Sequence, residues 1–147
     1  MGRRATGWLL VLGTAVVFAA APARATGPSP GVAHYRAQAN AICRAFGRWT
    51  PPPGSAKVQL TALNHRFRRV VTSLSALKAP PSLAQLRQQV VSILHQELQF
   101  LDTELALFKA GKITPERFEQ DIDGSSYGTT ENGLWHRIGA DACASVQ

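Results

Sequence analysis

Leu60-Thr61-Ala62-Leu63-Asn64-His65-Arg66-Phe67-Arg68-Arg69-Val70-Val71-Thr72-Ser73-Leu74-Ser75-Ala76-Leu77 decides the fold class. Leu60, Leu63, Phe67, Val70, Leu74 and Leu77 recur at steps of three and four, the period at which side chains return to one face of an α-helix. Upstream, Pro51-Pro52-Pro53-Gly54 must end any earlier helix, because consecutive prolines remove amide donors and disfavour helical geometry in the residue before them. That earlier helix carries the stripe Val32, Tyr35, Ala39, Ile42, Phe46 and Trp49, with Cys43 beside it. Ser55 stands where a cap for the next helix is wanted. Downstream, Pro80-Pro81 stops the decisive stretch, and Ser82 offers an N-cap for a third helix bearing Leu83, Leu86, Val90, Leu94, Leu98, Leu101, Leu105 and Phe108. Gly111 follows where a left-handed residue closes a helix. At 1.5 Å per residue this spine extends roughly 40 Å.

Thr114-Pro115-Glu116 opens a fourth helix with a cap, a proline at the first helical position and an acid in the first turn; Phe118 and Ile122 face inward. Gly124, Ser125, Ser126 and Gly128 favour a turn, after which Leu134, Trp135, Ile138 and Ala142 resume helical spacing. The helix is therefore interrupted, or ends and restarts. The expectation is an all-α, antiparallel four-helix bundle with an interrupted last helix, one disulfide and no strand.

The N-terminus reads as a secretion signal over residues 1–25. Arg3 and Arg4 are followed by the uncharged apolar run Trp8 to Ala21, then by Ala23-Arg24-Ala25, the small-x-small pattern of a cleavage site before Thr26. The apolar run of about 14 residues is short for a permanent membrane span, so no transmembrane segment is expected after processing; an uncleaved anchor is the alternative. Residues 26–31 form a Gly/Pro/Ser linker and 32–147 the bundle, a size suited to a single core. In an oxidising compartment Cys43 and Cys143 have one possible pairing, and the bridge would close a loop of about 100 residues. Two buried free thiols are the alternative.

Charge is divided along the chain. From Thr26 to Gln96 there are nine Lys or Arg and no acid; from Glu97 to Gln147 there are nine acids and four bases. Either basic and acidic helices lie side by side and neutralise one another, or Arg44, Arg48, Lys57, Arg66, Arg68 and Arg69 form a face that attracts an anionic envelope polymer or lipid surface. Nucleic acid is a poor partner, since the basic segment lacks interleaved exposed aromatics for base stacking.

No catalytic motif stands out. Gly124-Ser125-Ser126 lacks the strand that makes a nucleophile elbow, and Glu116, Glu119, Asp121 and Asp123 read as a solvated helix face. His34, His65, His95 and His136 fall one to each helix, yet none has a second ligand three or four residues away, so neither metal nor other cofactor is expected. The leading expectation is a secreted or envelope-associated binding module that is not an enzyme. One alternative is a small exported helical enzyme of the chorismate mutase type, with Arg44, Arg66 and Arg69 facing Glu97 or Glu104, although that family's ordered motif is absent. Another is an apolar-ligand carrier with a cavity lined by the third helix's leucines.

Three segments carry a resemblance: Tyr35-Arg36-Ala37-Gln38-Ala39-Asn40-Ala41-Ile42-Cys43, the hinge Leu77-Lys78-Ala79-Pro80-Pro81, and Leu134-Trp135-His136-Arg137-Ile138-Gly139-Ala140-Asp141-Ala142-Cys143. Together they resemble small exported helical proteins of high-GC actinobacteria. The resemblance implies export, a helical bundle and the cysteine pair, and no activity. Gly124 to Gly133 departs from the more regular last helix of that group.

Overall fold

The computed structural model describes residues 30–144, and among these the chain is all-α with no strand. The helices are α1 (Pro30–Gly47), α2 (Ala56–Ala76), α3 (Ala84–Lys109), α4 (Pro115–Asp123), α5 (Tyr127–Ile138) and α6 (Asp141–Ala144), with a 3-10 turn at Pro81–Leu83 leading into α3. The expected leader and residues 26–29 of the linker lie outside the described residues. The linker's last two residues, Pro30 and Gly31, are already helical.

Successive long helices are antiparallel. Gly31 at the start of α1 lies beside Pro80, just past the end of α2. Toward the other end the Arg66 guanidinium donates to the Ala45 carbonyl at 3.2 Å, and the Phe46 and Phe67 rings pack with centroids 6.2 Å apart. Between α2 and α3, Asn64 donates to Asp102 at 3.0 Å, Ser75 meets His95 at 3.4 Å, and Arg87 donates to the Ser75 carbonyl. The fourth position is filled by two successive pieces that run back along α3, α4 through Phe108–Phe118 (6.1 Å) and α5 through Phe100–Tyr127 (5.8 Å).

The interruption falls where the glycines and serines favour it, between Asp123 and Tyr127. Thr114 caps α4, its Oγ1 accepting the Arg117 amide at 3.2 Å. At the end of α3 the Gly111 amide bonds to Phe108 and the Lys112 amide to Leu107, a closure that needs the left-handed Gly111, φ 68°. Two expected caps do not act. Ser55 occupies the N-cap position of α2, but its side chain makes no capping bond. Ser82 sits inside the 3-10 turn, so Leu83 takes the cap position of α3: Pro81 begins coiling the chain before Ser82 could adopt the extended cap conformation.

The core joins all the long elements through Val32, Tyr35 and Ala39 of α1, Val70, Val71 and Leu74 of α2, Val90, Leu94 and Leu98 of α3, and Leu134, Trp135 and Ile138 of α5. Trp135 is 1% exposed and is among the largest fully buried side chains. Burying such apolar surface is the main favourable term for a domain of this size.

Cys43 and Cys143 are bonded, S–S 2.06 Å with Cα atoms 5.0 Å apart. The chain reaches that bond by running past the level of Cys43 and turning back. α5 continues until the Ile138 carbonyl reaches Arg36, two turns of α1 before Cys43. Gly139, φ 79°, then reverses the chain. Asn40 accepts the Ala142 amide at 2.9 Å and Cys143 meets Cys43, so α6 climbs alongside α1. A Cβ on Gly139 would lie 2.8 Å from Arg36 Nε, in a backbone region that costs an L-residue roughly 1–2 kcal/mol. Gly139→Ala is therefore expected to destabilise the fold by about 2 kcal/mol or more in chemical denaturation. An unchanged midpoint would show that neither the turn nor the Arg36 contact is needed.

Candidate functional site: a basic flank and a buried carboxyl pair

Of the six expected cations, Arg66 and Arg68 are engaged by neighbouring helices, and the other four are exposed without ion-pair partners. Arg44 lies on the last turn of α1 and Arg48 one residue past its end, both exposed. Lys57 opens α2 and Arg69 lies three turns further on, again exposed. Arg66 and Arg68 splay to opposite edges of α2, as residues two apart on a helix must. Arg66 is half-buried against the Ala45 carbonyl of α1. Arg68 reaches α3, binding both oxygens of Asp102 at 2.7 and 2.6 Å. Burial works to raise the Asp102 carboxyl, but the hydrogen bonds from Arg68 and Asn64 outweigh it and hold the group below its ordinary value.

Among the described residues, Arg68–Asp102 is the one ion pair joining the basic half to the acidic half. The other two, Arg117–Asp121 and His136–Asp141, join groups within the acidic half. The halves meet in few direct charge contacts: Arg44, Arg48, Lys57 and Arg69 have no acid within ion-pair distance, although α4 with its acids packs against the end of α3 that lies level with Lys57. The sequence expectation of mutual neutralisation is met at a single contact.

A second cluster was not legible as a site. Glu97 of α3 and Glu131 of α5 meet inside the α3–α5 interface, and Glu131 Oε1 accepts the buried Trp135 indole N–H at 2.6 Å. Glu97 Oε2 is cut off from solvent with no donor to satisfy it. A carboxylate cannot donate to a carboxylate, so the Glu97–Glu131 contact is a hydrogen bond only when one of them keeps its proton. Burial, then the Glu131 charge and the shared bond, push Glu97 up to about 8. Burial also raises Glu131, opposed by its bonds from Trp135 and Glu97. The one available signal was the interval Glu131 to Trp135, a single helical turn from an acid to an indole donor.

The residues considered for an exported enzyme are kept apart. Arg66 points toward α1, Glu97 toward α5, and Glu104 lies near Arg117 of α4. The four histidines are exposed, and no group of three His, Cys, Asp or Glu among the described residues could hold a metal. Two surface depressions of about 460 Å³ each, one against Gln85, Gln89 and Ile93, the other between Phe100, Glu104, Arg117 and Tyr127, open widely to solvent. Neither is lined by the buried leucines of α3, Leu94 and Leu98, which an apolar carrier would use. No helix among the described residues is long and apolar enough to cross a membrane. No family model, no curated protein and no solved structure matches the chain.

Proposed function

We propose that the protein is an exported helical module without a catalytic role, which adheres to an anionic component of the cell envelope through the basic flank of α1 and α2. The observation that carries this reading is the unneutralised flank: Arg44, Arg48, Lys57 and Arg69 stand exposed without acid partners, and the halves of the molecule share one ion pair among the described residues. Such a charge division raises the local concentration of anionic ligands near one side of the molecule and repels them from the other. The Cys43–Cys143 bond and the leader pattern of residues 1–25 support placing it in an oxidising compartment outside the cytoplasm. So does the resemblance to small exported helical proteins of actinobacteria.

The test is binding of residues 26–147 to soluble polyphosphate as ionic strength rises from about 0.01 M to about 0.15 M, which shortens the screening length from about 30 Å to about 8 Å. This piece includes every residue of the packed core. Affinity is expected to fall by at least tenfold over that range, and Arg44→Gln with Arg69→Gln should weaken it further by about fivefold per lost cation. Failure to bind at the lowest ionic strength removes the reading. The leader is checked separately, by the N-terminal mass of exported protein, expected to begin at Thr26.

A further inference from the structure

We propose that one end of the bundle, where α1 passes into α2 and α3 into α4, docks on an anionic lipid bilayer, with Val58 and Leu63 as its apolar contacts and Arg48, Lys57, Lys109 and Lys112 as its headgroup contacts. The inference rests on the adhesion reading above and names its partner.

The helix register brings these residues to one end. Contacts of Ala45 with Arg66 and of Phe46 with Phe67 place Trp49 opposite Leu63, and the Pro51-Pro52-Pro53-Gly54 turn follows directly. Val58 packs against that turn, its Cβ 3.3 Å from where a Cβ on Gly54 would stand. On the other side, Asn64 opposite Asp102 sets the antiparallel register of α2 and α3, so Lys57, two turns before Asn64, lies level with the last turn of α3 and the Gly111–Lys112 closure. Arg48, Lys57, Lys109 and Lys112 are exposed and none is in an ion pair; Glu116, in the first turn of α4, and Glu119, one turn on, are the exposed acids nearest this end.

Charge alone would suit a hydrated polymer as well as a membrane. The exposed apolar side chains separate the two. Val58 and Leu63, 47% and 37% exposed, are the large hydrophobic residues left open to solvent among the described residues; Val58 lies at this basic end and Leu63 follows about one and a half turns further along α2. Leu63 belongs to the stripe that should be covered, but α1 ends at Gly47, short of the point where it would shield Leu63. A polymer of phosphates offers such side chains no apolar phase, whereas the boundary between headgroups and acyl chains does, with lysines and arginines reaching the phosphates around them.

The experiment uses residues 26–147 with the disulfide intact, vesicles of equimolar phosphatidylcholine and phosphatidylglycerol, and soluble polyphosphate. Val58→Ser with Leu63→Ser should weaken vesicle binding by roughly tenfold or more and leave polyphosphate binding unchanged. Lys57→Gln with Lys112→Gln should weaken both, by about fivefold per cation. Brominated lipid should quench Trp49 emission in the unaltered protein, a readout that does not depend on any variant folding; Trp49→Phe should abolish that quenching. Polyphosphate binding without vesicle binding overturns the lipid contact and spares the adhesion reading. Loss of binding to neither ligand in the serine variant, loss to both, or unquenched Trp49 also overturns the lipid contact. Binding to neither ligand by the unaltered protein overturns both proposals.

Discussion

Glu97→Gln is expected to stabilise the domain at alkaline pH and to flatten the fall in its stability above about pH 5. The sign follows from the direction of the shift. Glu97 ionises near its ordinary 4.5 when unfolded and at about 8 in the fold, so between those values the native state binds a proton that the unfolded chain has released. Stability is full below 4.5 and is lost progressively as pH rises through about 8. At 1.36 kcal/mol per unit the full shift would approach about 5 kcal/mol; water reaching the partly exposed pair reduces this to on the order of 2–4 kcal/mol. In thermal melts that is on the order of 10 °C between weakly acidic and alkaline buffer. Glutamine keeps the shape, cannot ionise, and can donate to Glu131, which continues to hold Trp135. Because the two carboxyls titrate as a pair, Glu131→Gln should flatten the same slope in part. Parallel pH profiles for the unaltered protein and Glu97→Gln would show that the pair does not share a proton.

Cys43→Ser with Cys143→Ser is expected to destabilise the domain by about 2–5 kcal/mol in chemical denaturation. The bridge spans 100 residues, so in the chain-entropy account it restricts the unfolded chain by about 4.7 kcal/mol, an upper figure for so long a loop. That is comparable to the total stability of many domains of this size. The loss should have a local signature as well. α6 is a four-residue helix attached to α1 by the disulfide and the Asn40–Ala142 hydrogen bond, so proteolysis of the serine variant is expected to begin around Gly139 to Ala144 before the core opens. Thiol reductant added to the unaltered protein should reproduce both effects. A denaturation midpoint that does not move under reductant would mean that the bridge contributes nothing to stability.

Several features were legible in the residues themselves because local physics determines them. The three- and four-step stripes specified α1, α2 and α3, since only a helix brings those side chains to one face. Pro51–Gly54 and Pro80-Pro81 ended helices because proline lacks an amide donor, and Gly111 closed α3 because it alone tolerates the left-handed turn cheaply. Thr114-Pro115-Glu116 started α4 by satisfying amides within its own first turn. Ser82 failed as a cap for an equally local reason, the coiling of Pro81–Leu83 ahead of it.

The candidate site was less legible. A list of cations says nothing about which edge of a helix each takes: Arg66 and Arg68 differ by two residues and are drawn into different interfaces, one against a carbonyl of α1 and the other onto Asp102. Leu63 counts as core by its spacing but is exposed, because whether a stripe is covered depends on where the neighbouring helix ends. Glu97 and Glu131 are 34 positions apart, and no period relates residues on separate helices. Their ionisation is decided by the dielectric of the interface that encloses them.

The sequence by itself determined that this chain is helical, where its helices stop, that its charge is divided, and that its two cysteines had one partner each. Those properties arise from backbone geometry and from residues close together along the chain. Tertiary structure alone decided that Gly139 turns the chain back to bring Cys143 to Cys43, that a single ion pair among the described residues joins the two charged halves, and that two carboxyls share an interface. Each of these depends on which surfaces meet across the bundle, and packing sets that through the lengths and registers of all the helices at once.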